Sequence, residues 1–162
     1  MKTHSAHAMG KFLLILIMLS AGAVRAQTLN EVKAGFVGYY ELVSFISFPA
    51  DGEPVNNNYS GRIIYDAHDN MSAIGMPLDA PEAARQQGES GSQGFAYWGK
   101  VSWDTERGIV THHVEGSPTR NTWAGEDNVR YYELDGDILR LSLRDATGRT
   151  TGTLTWRKIT SD

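Results

Sequence analysis

Two adjacent histidines, His112 and His113, stand inside the β-branched stretch Ile109-Val110-Thr111-His112-His113-Val114-Glu115. Histidine is the side chain whose ordinary titration lies nearest neutral pH, so these are the first candidates for moving a proton. In a β-strand neighbouring side chains point to opposite faces, so one imidazole faces a core and the other faces out. The pair therefore cannot serve as adjacent metal ligands on one face. His112 shares its face with Val110 and Val114, apolar company that favours an inward His112. If the other face lines the interior, His113 and Glu115 form an acid/base pair on one wall, able to shift each other's pKa. A plainer role for the inward imidazole is a hydrogen bond to a neighbouring tyrosine or arginine.

Arg130 alternates with Tyr132 and Leu134 in a second β-like run. If that face looks inward, the guanidinium needs a carboxylate or an anionic ligand, because a buried unpaired charge is too costly; if it looks outward, Arg130 is an ordinary solvated charge. Phe95, Tyr97 and Trp103 share one face of a further run and form an aromatic wall, either plain core or a ligand platform. Trp123 lies in the irregular stretch 116–127, where an indole left in water is costly, so it covers an opening or seals an end. The catalytic candidates are thus His112, His113 and Arg130, and the ligand-contact candidates Tyr97, Trp103, His112, Trp123, Arg130 and Tyr132. No spacing recommends a metal site. Gly116-Ser117 lacks the nucleophile elbow of a serine hydrolase. No phosphate loop or dinucleotide fingerprint is present. No cofactor or metal is therefore expected.

The elements that must position these residues are strands. Turn signals punctuate the chain every 8 to 15 residues or so, as in a sandwich or barrel. Strands are predicted over 39–46, 62–65, 71–76, 94–104, 108–115, 128–134, 137–143 and 151–159, after a short helix near 29–36. Asp135-Gly136 reads as a two-residue hairpin loop of type I′. Eight strands suffice to close a small all-β antiparallel barrel with room for side chains or one ligand. Between the third and fourth strands, Pro77 to Gln93 breaks the pattern. Ala80 to Gln87 reads as a short helical insertion with Pro81 near its start, placed to act as a lid or mouth element.

The first 26 residues have the pattern of a signal peptide. Lys2 and Lys11 precede the apolar run Phe12 to Leu19, and Val24-Arg25-Ala26 offers small residues at the cleavage positions. The run is far short of the roughly 20 apolar residues that span a membrane. The expected organisation is a signal peptide over 1–26 and one barrel domain over 27–162, periplasmic or secreted. Lys2, Lys11 and Arg25 are three of the 15 basic residues, and none of the 19 acidic residues precedes Gln27. The remaining net charge of about −7 argues against nucleic acid and anionic membranes as partners. There are no cysteines, so the domain must be held by its core and hydrogen bonds.

Several stretches together resemble the lipocalin-like domain family of bacterial and fungal β-barrel proteins. Gly38-Tyr39-Tyr40-Glu41-Leu42-Val43-Ser44 is similar to its opening strand. The likeness continues through Gly61 to Asp66, Met71-Ser72-Ala73, Thr111 to Ser117, Asn121 to Gly125, Val129 to Asp137 and Gly152 to Trp156. The resemblance implies an up-and-down, calycin-like barrel with a ligand cavity. It also implies that Tyr40, standing where the family's motif usually has Trp, plugs one end with Arg157 packed across it. The fold assigns no reaction. Two functions follow: binding of a small apolar or amphipathic molecule, or a cyclase- or isomerase-type enzyme in which an inward histidine moves a proton beside Arg130 and a tyrosine. A filled barrel with only surface interactions is the third possibility.

Overall fold

The computed structural model describes residues 27–79 and 94–160. The expected signal peptide and the expected short helix over 80–87 lie outside them. The chain begins with α1 (Leu29–Phe36), followed by β1 (Gly38–Ser47), β2 (Val55–Asn56), β3 (Tyr59–Tyr65), β4 (Asn70–Pro77), β5 (Phe95–Asp104), β6 (Ile109–Gly116), a 3-10 turn at Asn121–Trp123, β7 (Asp127–Asp135), β8 (Ile138–Arg144) and β9 (Thr150–Lys158). Each strand from β3 to β8 pairs antiparallel with the next, and β1 pairs with both β3 and β9. Eight strands thus close the expected barrel. The two-residue β2, absent from the sequence expectation, adds to β1 at Ile46 and Ser47.

β1 serves two neighbours by dividing its length. Gly38 to Glu41 pair with β3, while Tyr40 to Ser47 run along β9. The register on β9 slips between Leu42 and Ser44, leaving Val43 as an exposed bulge residue. One extra residue inverts the alternation, so Leu42 and Phe45 both pack against the core. The β7–β8 turn corrects the expected type I′ loop by one position. Asp135 pairs with Ile138, so the central residues are Gly136 and Asp137. Only Gly136 has positive φ, at 55°, which fits the type II′ hairpin with glycine first.

One end of the barrel is stoppered by α1. Thr28 caps the helix through a reciprocal pair with Glu31, and its apolar face buries Val32 and Phe36. The Phe36 ring meets Tyr65, Trp103 and Tyr132 edge-on at 5.1, 5.7 and 5.2 Å. Such aromatic pairs contribute about 0.5–1.5 kcal/mol each beyond the area they bury. Beneath the helix, Tyr40 is fully buried and its hydroxyl donates toward the carbonyls of Gly35 and Phe36 at 3.0 and 2.9 Å. Burial also raises its pKa well above the tyrosine value, with Asp137 adding to the rise.

Tyr40 therefore plugs this end, but Arg157 does not cross it. Trp156 faces inward, so Arg157 points outward, 3.9 Å from Glu41. The covering cation is the next inward residue, Lys158, whose ammonium lies 5.3 Å from the Tyr40 ring centre and donates to Gly35 O at 2.8 Å. Lys33 makes a second tie, a 2.7 Å ion pair from α1 to Asp69 in the β3–β4 turn.

The inward side chains taper toward the opposite end. On β9 they run Trp156, Leu154, Gly152, and on β4 Met71, Ala73, Gly75. At Gly75 a methyl group would collide with the Phe95 ring, which fills the space beside it. The packing thus leaves volume at the end away from α1. Replacing Tyr40 by Phe keeps the ring but strands the Phe36 carbonyl. Urea unfolding of Tyr40→Phe is expected to show a loss of about 1–3 kcal/mol, and unchanged stability would remove this hydroxyl from the account of the plug.

Candidate functional site

A cavity of about 360 Å³ occupies the wide half of the barrel. β1 contributes Phe45, β3 Tyr59 and Ile63, and β5 Phe95 and Tyr97. The far wall is Leu141 and Leu143 from β8 with Leu154 and Trp156 from β9. Each of these lies on the inward face of its strand, which is why alternating apolar residues become one continuous wall. Tyr40, Leu42, Tyr97, Leu141 and Trp156 do project into the interior, yet they do not fill it.

The polar groups come mainly from β7, where Asn128 and Arg130 alternate inward between the exposed Asp127 and Val129. Arg130 takes the inward alternative left open by its sequence. Among the described residues no carboxylate pairs with it. Its guanidinium donates to Val129 O at 2.8 Å and faces the Tyr97 hydroxyl. At the mouth, Arg120 stacks over Trp123, its guanidinium carbon 4.8 Å from the ring centre. Trp123 in turn packs edge-on against Tyr97 at 5.5 Å, so the loop indole covers the opening.

His112 is inward and fully buried. It lies behind the cavity wall, with Nδ1 2.9 Å from the Tyr97 hydroxyl and Nε2 2.8 Å from that of Tyr65. Burial holds its pKa well below the ordinary histidine value, and the charges of Arg130 and His113 push the same way. The imidazole is therefore neutral, with one N–H and one lone pair, so one tyrosine donates to it while the other accepts. Burial raises the pKa of both tyrosines; Tyr97 adds to the rise at Tyr65, and Arg130 opposes it at both. The triad is a set of mutually satisfied polar groups. Tyr97 alone of the three reaches the cavity.

The remaining candidates separate from this site. His113 sits on the outer surface, bonded to Ser102 Oγ at 2.8 Å and Asp127 Oδ1 at 2.7 Å. Glu115 is exposed on the same outer side, so the alternative of a His113–Glu115 pair inside the barrel is overturned. Trp103 and Tyr132 share strand faces with Tyr97 and Arg130 but lie at the stoppered end, packed on Phe36. Lys33 lies 5.4 Å from the Trp103 ring centre. Neither lines the cavity. Sequence reading brought Tyr97, Trp123 and Arg130 to the site and missed Arg120 and Asn128. Asn128 carried a usable signal, standing two residues before Arg130 and hence on its face. Among the described residues no group of three or more acidic or histidine side chains could hold a metal.

The neutral His112 makes stability depend on pH with a definite sign. Its folded pKa is depressed, so below an unfolded value near 6.5 the unfolded chain takes up a proton that the folded barrel excludes. The stabilising contribution is complete above that pH. It falls by about 1.4 kcal/mol per pH unit below it, until the folded pKa is reached. The carboxylates of Asp66, Asp145 and Glu31 are held below their ordinary values, chiefly by hydrogen bonds from Asn70, Thr147 and Thr28, so their effects enter at more acidic pH. Urea unfolding of the native protein between pH 6.5 and 5 is expected to follow this slope, and His112→Gln to lose about one proton's worth of it. Identical slopes for the two would contradict a neutral buried His112.

A family model described as a lipocalin-like domain matches residues 37–159. Comparison with curated proteins finds no match. The matched span runs from the residue before β1 to the residue after β9, taking in the whole barrel and its cavity. With the strand order closed as an up-and-down barrel and the cavity at the end away from α1, the chain belongs to the lipocalin-like domain family.

Proposed function

We propose that this chain is an exported binding protein that holds a small, largely apolar molecule inside its barrel. The observation that carries the reading is the cavity: about 360 Å³ of space remains between Phe45, Phe95, Leu141, Leu143, Leu154 and Trp156. Small-molecule pockets usually occupy roughly 300–1,000 Å³, with apolar walls and a few placed polar groups. The volume lies at the small end of that range, which favours a compact ligand. Proteins are packed like organic crystals, so a domain without disulfides keeps such a void at a cost in stability that a bound molecule would offset.

Binding is favoured over proton transfer by the position of His112. Both of its ring nitrogens are engaged by tyrosines behind the wall, and a general base must come within hydrogen-bond reach of the proton it removes. Tyr97, the member of the triad that touches the cavity, has its pKa raised by burial and is suited to donating a hydrogen bond rather than to taking a proton. Export rests on the amino-terminal pattern of Lys11, the apolar run after it and Ala26.

Two measurements test this. Native mass spectrometry of the protein purified from its exporting cells is expected to show a bound small molecule, released on denaturation and absent from Leu154→Phe, which extends an aromatic ring into the cavity. A fully occupied Leu154→Phe would place the ligand elsewhere. Amino-terminal sequencing of the exported protein is expected to begin at Gln27, and recovery of a full-length protein from the membrane would refute export by cleavage.

A further inference from the structure

We propose that the ligand is a monocarboxylate with an apolar body, its carboxylate held on the barrel floor by Arg130, Asn128 and Trp156. This rests on the binding reading above and names the ligand's chemistry. The argument is one of unmet donors. Every polar side chain on the cavity's inner half offers hydrogen, and among the described residues none of the lining groups is acidic. Arg130 carries five N–H donors in a planar fork; one is engaged on Val129 O, and the guanidinium also faces the Tyr97 hydroxyl. Besides Trp103 Nε1 at the stoppered end, two donors are buried without any partner among the described residues: the Asn128 amide nitrogen and the Trp156 indole N–H. Both residues line the same cavity as Arg130.

Buried donors without acceptors are costly, by about 1–3 kcal/mol each, and native proteins rarely keep several together. Two of them in one cavity, with the Arg130 fork lining it too, call for an acceptor that enters from outside. A planar carboxylate suits them, because its two oxygens meet the guanidinium fork side by side and leave lone pairs for the amide and the indole. A single guanidinium on the floor matches one negative charge, while the other cation, Arg120, is held at the mouth over Trp123.

The register gives the direction. Arg130 pairs with Val110, and two residues further along β7 Tyr132 packs on Phe36 at the stoppered end. Phe95 and Phe45 stand near the ends of their strands at the wide end. The ligand therefore enters carboxylate first, with its apolar body between the phenylalanines and the leucines and its far end beneath Trp123.

The test uses intrinsic tryptophan fluorescence of delipidated mature protein titrated with decanoate and with decan-1-ol, which match in apolar body and differ in head group. Decanoate is expected to bind about tenfold or more tightly than the alcohol, the scale of a charge-assisted pair. Arg130→Met is expected to abolish that preference by weakening decanoate about tenfold or more, with an unchanged far-ultraviolet circular dichroism spectrum showing that the barrel is folded. Asn128→Leu, a milder change, is expected to weaken decanoate alone, by about threefold to tenfold. Equal affinity for the two probes, or an equal loss of both in Arg130→Met, overturns the carboxylate proposal and leaves the binding reading standing. Failure of both probes to bind at millimolar concentration counts against the binding reading itself, and the proposal falls with it.

Discussion

The structure depends on the closure of β1 against β9. A chain with no disulfide has only its core and its hydrogen-bond ladder to hold eight strands in a ring, and an open sheet of that length would leave two unpaired edges. β1 closes the ring by pairing with β3 through its first residues and with β9 through most of its length. The bulge at Val43 lets one strand meet both demands: it bends β1 and returns Phe45 to the interior. The fixed alternation on every other strand then decides what the interior contains.

From that closure follows a division of the barrel into two halves with different chemistry. At the stoppered end, the Tyr40 hydroxyl and the Lys33 and Lys158 ammonium groups are engaged, while the Trp103 indole N–H is buried without a partner among the described residues. Behind the cavity wall, Tyr65, His112 and Tyr97 satisfy one another, which fixes the orientation of Tyr97. Beyond it the side chains shrink to Ala73, Gly75 and Gly152, and the donors of Asn128 and Trp156 have no acceptor among the described residues. The mutually satisfied triad rigidifies the wall, and the proposed ligand-binding donors line the cavity in front of it. The two belong together, because a donor set selects a ligand only when its geometry is held before the ligand arrives.

Much of this was legible in the sequence because it rests on local rules. Leu29 to Phe36 forms the helix, with Thr28 and Glu31 at the capping-box spacing, and the alternation around His112 pointed it inward. What the alternation cannot give is depth along the barrel. Trp103 and Tyr132 share faces with Tyr97 and Arg130, yet they stand toward the stoppered end of their strands and pack on Phe36 instead of lining the cavity. Nor is a bulge visible where no glycine marks it, as at Val43. Arg120 escaped notice because its place is set by loop geometry around Trp123, not by strand period. The expected role of Arg157 came from the family resemblance; the period of two, taken from an inward Trp156, excludes it and leads to Lys158.

The central claim is that recognition happens inside the barrel and not on its outer wall. The chain's four tryptophans report on it directly through their indole N–H signals in a nitrogen–proton correlation spectrum. Trp156 and Trp123 line the cavity, Trp98 is exposed on the outside, and Trp103 is packed at the stoppered end. Titration with decanoate is predicted to shift the Trp156 and Trp123 signals, Trp156 downfield as its N–H gains an acceptor, and to leave Trp98 and Trp103 in place. Shifts confined to Trp98 with Trp156 unmoved would contradict the account.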